Sequence, residues 1–290
     1  MTKALDKWDP EELAGIFRQA GSVALEYYDN PPAELKDDRS VVTAADRTIE
    51  NIFAEICDRE KENIYLIGEE TIEKHSIRYI ESALQSDCCW VLDPIDGTAP
   101  YSAHLDIWGI SLAFMQKGVI REGAVYFPAA DQLLITYQGK VLQRRLLQDA
   151  PWSVFTPKAS FLGDAGHIAI GQKPAHEWGF SGKNQLFAWS SCVGSLYSLL
   201  CGRVIAYCGD FKLWDIAGML PILHNLNYPI LSTAGSHEPL SPDLSDNMFT
   251  LDMSDKRRWK VCNPVIAAAD RTAALNILEQ FHTLQKESLI

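Results

Sequence analysis

The feature that most constrains this chain is the segment Trp90-Val91-Leu92-Asp93-Pro94-Ile95-Asp96-Gly97-Thr98, where an apolar run enters two carboxylates three residues apart. The apolar part reads as a buried strand. Proline and glycine then force a tight turn that aims both acids at one point. Carboxylates held this close repel, so they share either a proton or a cation, and hard oxygen donors select magnesium, manganese or calcium rather than zinc. Standing alone, the segment also reads as a strand-ending Asx turn.

Three further acidic positions accompany it. Gly68-Glu69-Glu70 follows a predicted strand over 64–67, Leu213-Trp214-Asp215-Ile216-Ala217 opens an apolar helix, and Asp46 stands three residues after Thr43. Singly, these read as a solvated turn, an N-cap and a capping box. The whole chain has 38 acidic against 26 basic residues, a net charge of −12 and a pI near 5.0. That balance opposes non-specific affinity for a nucleic acid polymer and favours a bound cation.

At 290 residues and 47% hydrophobic, the chain can bury a sizeable core. Its apolar runs fall far short of the roughly 20 residues that span a bilayer, so no membrane segment is expected. The charged first twelve residues lack the apolar stretch of a secretory signal, which places the protein in the cytoplasm as an expectation. Seven cysteines, an odd number with no C-x-x-C pair, are expected to be buried thiols.

Asp9-Pro10-Glu11-Glu12 carries an N-cap, a proline and first-turn acids, and Leu13, Ile16, Phe17, Ala20, Ala24 and Tyr27 follow at helical spacing until Asn30-Pro31-Pro32. A second helix is predicted after Thr43, with Ile49, Ile52, Phe53 and Ile56 as its stripe. Strands are predicted over 89–92, 107–115, 123–127 and 133–137, an antiparallel sheet with helices beside it. Beyond Asp149-Ala150-Pro151, short strands alternate with helices, beginning at 167–170. A C-terminal helix is predicted from Ala269, with Ala273, Leu275, Ile277, Leu278, Phe281 and Leu284 as its apolar side. The expected division is an N-terminal α+β domain over 1–147 and a smaller C-terminal α/β domain over 148–290.

Taken in order over residues 36–218, these motifs resemble the inositol monophosphatase family of magnesium-dependent, lithium-sensitive sugar-phosphate and nucleotide phosphatases. The resemblance implies a mixed α/β (α+β) fold, a layered αβαβα sandwich with metals in the cleft between its halves. It further implies that Glu69, Asp93 and the Ile95 carbonyl hold one Mg2+, and that Asp93, Asp96 and Asp215 hold a second. Asp46 and Thr98 match positions that organise the attacking water and a further metal, giving two or three ions per site, with Glu69, Thr98 and Asp46 as the catalytic set. Glu70 falls behind Glu69. Asp96, Gly97, Thr98, Gly194, Ser195 and Asp215 match the substrate-facing positions, and Lys36 matches a basic residue near the family's mobile loop. The implied reaction is two-metal hydrolysis of a small phosphorylated metabolite without a phosphoenzyme. Aspartyl-phosphate enzymes use D-x-D, whereas the spacing here is D-x-x-D. Family members are often homodimers.

The chain departs from the inositol-type pattern in two places. After D-G-T it has Ala99-Pro100-Tyr101 instead of x-N-F, and seven residues before Asp215, where those members place a glutamate, it has Cys208, a poor hydrogen-bond acceptor. Both departures count against myo-inositol phosphate, and sugar or polyol phosphates stand a little ahead of a nucleotide. Asp210, Lys212, Tyr101, His104 and Trp108 are candidates for the leaving-group pocket. Tyr101 and Trp108 stacked on a base would suit a 3′(2′),5′-bisphosphate nucleotidase, although an aromatic beside a strand also reads as core. The alternative of another class is a non-catalytic, metal-binding regulatory protein of the same fold.

Overall fold

Helix α1 (Pro10–Tyr28) starts at its predicted cap, where Asp9 Oδ1 accepts the N–H groups of Glu11 and Glu12 at 3.0 and 3.2 Å. The structure, a computed structural model, describes residues 4–28, 33–35 and 41–284, so the predicted stop at Asn30-Pro31-Pro32 and Lys36 lie outside the described residues. A short antiparallel ribbon of β1 (Ala33–Leu35) and β2 (Val41–Thr43) leads into α2 (Ala44–Cys57). The T-x-x-D capping box forms as predicted: the Thr43 N–H donates to Asp46 Oδ2 at 2.7 Å.

A seven-stranded sheet follows in sequence order. It comprises β3 (Tyr65–Gly68), β4 (Cys89–Asp96), β5 (Gly109–Gln116), β6 (Val119–Phe127), β7 (Gln132–Tyr137), β8 (Lys140–Arg144) and β9 (Ser153–Val154). Only β3 and β4 are parallel, because α3 (Ile77–Gln85) carries the chain back across the sheet; tight turns make the rest antiparallel. The five-stranded second sheet has the order β12-β10-β13-β15-β14. Its strands are β10 (His167–Ile170), β12 (Leu186–Phe187), β13 (Val204–Gly209), β14 (Ile230–Ser232) and β15 (Val265–Ala268). A last ribbon pairs β11 (Trp178–Phe180) with β16 (Phe281–Thr283).

Side-chain alternation along the strands builds the layers. Trp90, Leu92, Ile110, Leu112 and Tyr126 of the first sheet face α1 and α2, where Leu13, Phe17, Ile49 and Phe53 are fully buried. Val91, Ala113, Met115 and Val125 face the opposite way. They meet the helices α6 (Cys192–Leu200), α7 (Leu213–Ala217) and α8 (Leu220–Asn225), which also pack on Ala169, Tyr207 and Ala267 of the second sheet. On that sheet's far side Ile168, Ala206 and Ile266 cover Ala274 and Ile277 of α9 (Arg271–Leu278). The order is αβαβα, as predicted, and one helical layer serves both sheets.

Three local expectations need correction. Strand β4 continues past Leu92 to Asp96. The apolar stretch after Trp214 is two helices, α7 and α8, broken at Gly218-Met219. The C-terminal helix stops at Leu278: Phe281 enters β16 and packs on Trp178 and Phe180, and Leu284 is exposed. Sheet pairing with β11 wins there over helical periodicity, which no glycine or proline interrupts. Of the seven thiols, five are buried, and Cys201 and Cys262 are half-buried. Among the described residues no helix is long and apolar enough to cross a membrane.

Candidate metal centre

The carboxylates converge because of a defect in a ladder. Strand β4 pairs with β5 in register from Cys89↔Met115 to Asp93↔Ser111, then shifts, so the next pair is Asp96↔Gly109. Pro94 has no N–H for the ladder, and the Ile95 N–H turns back to Asp93 Oδ1 at 3.1 Å. Gly97 then takes φ +90°, and a Cβ there would lie 2.8 Å from Ser191 Cβ and 2.9 Å from the Ile107 carbonyl. Only glycine makes this turn with that neighbour. Two acids and Thr98, the first residue of α4 (Thr98–Ser102), are left on one rim of the cleft.

The parallel pairing supplies the third acid. Gly68 lies opposite Leu92 and the Glu69 N–H donates to the Leu92 carbonyl at 3.2 Å, so Glu69 leaves the sheet beside Asp93. Asp215 comes from the first turn of α7, where it accepts the Lys212 N–H at 2.9 Å. The end of α7 presses on the first sheet at Gly218, where a Cβ would stand 2.6 Å from Ser111 Oγ and 2.7 Å from the Ala124 carbonyl. Glu69, Asp93 and Asp215 thereby each place one oxygen within 4.8 Å of the others. They line a cleft of about 340 Å³ together with Ile95, Asp96, Gly97, Thr98, Asp210 and Lys212.

Asp46 and Asp96 complete the acidic set in different ways. Thr98 Oγ1 lies 3.2 Å from Asp46 Oδ1 and 3.0 Å from the Ile95 carbonyl, both acceptors for its one proton. Asp96 turns to the start of α6, accepting the Ser191 hydroxyl and the N–H groups of Cys192 and Val193 at 3.1 and 3.0 Å. It is not one of the three that share the 4.8 Å cluster. Burial pushes Asp93 well above the ordinary carboxylate range, and Glu69, Asp96, Asp215 and Asp46 add repulsion. Burial likewise raises Asp215, with Glu69 and Asp96 contributing, while the Lys212 N–H and ammonium pull it back. Asp96 is raised by burial despite its three hydrogen bonds. A cluster of hard oxygens in which buried Asp93, Asp96 and Asp215 hold their charge only at a cost fits a hard divalent cation.

Of the other predicted residues, Asp210 and Lys212 line the cleft and the rest do not. Gly194 gives its N–H to Ser191 Oγ at 3.0 Å, and Ser195, 1% exposed, returns its hydroxyl to the Ser191 carbonyl at 2.6 Å, so both sit inside the first turn of α6. Cys208 is fully buried in the core under α9, on the sheet face away from the cleft. Tyr101 and Trp108, 0% and 1% exposed, pack edge to face, and the Tyr101 hydroxyl donates to the Ala24 carbonyl at 2.7 Å. They are core, and neither is available to stack on a base. His104 is exposed against Tyr28. Asp210 lines the cleft and pairs with Lys173 at 3.1 Å.

Sequence reading missed Glu50 and Ser191. Glu50, 1% exposed, accepts the Glu70 N–H at 2.9 Å and the Thr71 hydroxyl at 2.5 Å, holding the turn that carries Glu69. It explains the glycine of G-E-E, since a Cβ on Gly68 would lie 2.4 Å from Glu50 Oε1. Burial raises Glu50 to about 7 in spite of those bonds. The available signal was its spacing of four from Asp46, which puts both on one side of α2.

The chain matches the inositol monophosphatase family over residues 11–285. It belongs to that family. Among curated relatives it is 28% identical over 242 residues to an inositol-1-monophosphatase of Rhizobium meliloti, covering 79% of this chain and 86% of the relative. It is 24% identical over 222 residues to a histidinol-phosphatase of Chlorobaculum parvum, covering 72% and 79%. A solved IMPase/NADP phosphatase complexed with Mg2+ and phosphate superposes with a TM-score of 0.66 at 18% identity, over 92% of this chain and 93% of that one. This chain is a phosphoric monoester hydrolase whose substrate is a small phosphorylated molecule, in a family that is metal-dependent.

Proposed function

We propose that this inositol monophosphatase family member is a Mg2+-dependent phosphatase of a small sugar, polyol or inositol phosphate. The observation that carries the reading is the meeting of Glu69, Asp93 and Asp215 within 4.8 Å, beside the Thr98–Asp46 contact. Glu69, Asp93, Asp215 and the Ile95 carbonyl would hold two ions, with Asp96 completing the second site and Asp46 joining a third. Bound there, magnesium supplies Lewis-acid polarisation of the phosphate and a lowered pKa for water.

The chain's own groups do the rest. Thr98 Oγ1, its proton directed to Asp46 or the Ile95 carbonyl, offers its lone pairs to an incoming water. Glu69, half-exposed at the cleft, takes the proton as that water's oxygen bonds to phosphorus and the phosphorus–alkoxide bond breaks. The alkoxide leaves toward Asp210 and Lys212, where a proton from solvent completes the alcohol. The burial of Tyr101 and Trp108 removes the stacking platform that would have suited a nucleotide, which supports the sugar or polyol reading.

Phosphate release from inositol, glycerol, fructose, histidinol and 3′,5′-adenosine phosphates, with magnesium and with chelator, tests the reading. Magnesium-dependent turnover of a sugar or polyol phosphate is expected. Silence across the panel with magnesium demonstrably bound would instead favour a binding protein.

A further inference from the structure

On the other side of the first sheet's edge, a second cavity of about 560 Å³ lies where β8 and the segment 150–158 meet the end of α6. Thirteen residues line it; four of them, Arg144, Arg145, Lys158 and Arg203, are basic and none is acidic. In a chain with 38 acids and 26 bases, that local reversal of sign is the opposite of the average surface. Arg144 is already neutralised by Glu11 and Asp149 at 2.9 and 3.0 Å. Arg145, Lys158 and Arg203 are exposed and have no acidic partner among the described residues.

The usual internal sink for such cations is also closed. The terminal carbonyls of a helix attract positive side chains, but those of α6 are satisfied by backbone. Cys201, Gly202 and Arg203 donate their N–H groups to Tyr197, Leu199 and Ser198, and Lys158 donates its N–H to Leu200, at 2.8 to 3.0 Å. Gly202 secures this junction: its φ is +70°, and a Cβ there would lie 2.5 Å from the Ala159 carbonyl. Arg203 stands 5.6 Å from the Tyr197 ring, which also stacks on Phe127, so its guanidinium is held rather than free to swing away. Gln143 and Thr156 add neutral donors to the lining.

We infer that this cavity is a binding site, separate from the metal centre, for a small polyanion bearing at least two phosphate-like groups. Three cations lining one concave wall can be met together by one multivalent anion, and two guanidinium forks suit tetrahedral oxyanions. The cavity is of ordinary ligand size. Its floor includes Tyr197 and Cys201 at the end of α6, the helix whose other end grips Asp96.

Inorganic tripolyphosphate is the probe, titrated calorimetrically into the full chain in magnesium buffer. Asp93→Asn, which disables the metal centre, is expected to retain binding at one site per chain, with affinity that weakens as salt rises. In that background Arg145→Gln/Arg203→Gln is expected to lose at least about tenfold in affinity, with an unchanged melting temperature showing that it folds. Absence of binding in Asp93→Asn would assign all binding to the metal centre and overturn the inference. Equal affinity in the double variant would do the same. A ten-nucleotide RNA that displaces tripolyphosphate at lower concentration would overturn the small-ligand assignment in favour of a polymer.

Discussion

Asp93 concentrates the electrostatic conflict of the cleft in one side chain. It is 2% exposed and feels Glu69, Asp96, Asp215 and Asp46, so without a cation its charge is opposed both by burial and by its neighbours. Asparagine in its place keeps an oxygen for the Ile95 N–H, which now lies at 3.1 Å, and removes the charge. Asp93→Asn is therefore expected to melt higher than the parent in chelator while losing at least about a hundredfold in magnesium-dependent turnover. Calorimetry and phosphate release measure the two halves separately. A variant that turned over at a near-normal rate would remove Asp93 from the metal site. A variant that melted lower in chelator would show that packing, and not repulsion, governs this position.

At the scale of elements, the beginning of α6 holds Asp96 while its own cap is Ser191, so one hydroxyl serves both purposes. Ser191→Ala is expected to cost about 1–2 kcal/mol of stability and to lower kcat more than KM. Ser191→Thr restores both, whereas equal damage from alanine and threonine would mean that crowding matters more than the hydroxyl. The sequence made these elements legible unevenly, for physical reasons. Strand β4, the α2 capping box and the antiparallel order of β5 to β7 rest on local signals, namely apolar runs, a T-x-x-D pair and turn residues. The bulge at Pro94-Ile95 was obscured because proline and glycine read as a tight turn ending the strand, whereas the ladder resumes at Asp96 after a register shift. Glu50 was missed because its meaning depends on a turn twenty residues away. The end of α9 was overrun because the competitor for Phe281 is β11, a hundred residues earlier in the chain.

The cleft acids stand at helix starts and on one parallel strand pair: Asp46 opens α2, Asp215 opens α7, Asp96 faces α6 from the end of β4, Glu69 follows β3 and Asp93 lies within β4. A helix N-terminus favours a carboxylate by only about 0.3–1 kcal/mol, and burial exceeds it here, since Asp46 is raised to about 6 even with Thr43 bonded to it. The sign of the resulting pH dependence follows. Asp46, Glu50, Asp93, Asp96 and Asp215 all have folded-state values above their unfolded ones. For all five the contribution to stability is complete below the unfolded carboxylate range; for Asp46, Glu50, Asp96 and Asp215 it is lost as pH rises through about 6 to 8, and Asp93 adds to the loss in the same direction. Asp243 and Asp252 shift the other way but are fully exposed, so they offset little. In chelator the melting temperature is therefore expected to fall by at least about 5 °C between pH 5 and pH 8. Magnesium, which binds the ionised cluster, is expected to recover most of that loss at pH 8 and to raise the melting temperature little at pH 5. Scanning calorimetry at the two pH values, with magnesium and with chelator, gives all four numbers. A melting temperature in chelator that is level or rising across this range would show that the cleft acids are not held at a cost in the folded chain. The same result would remove the electrostatic reason for placing a divalent cation among them.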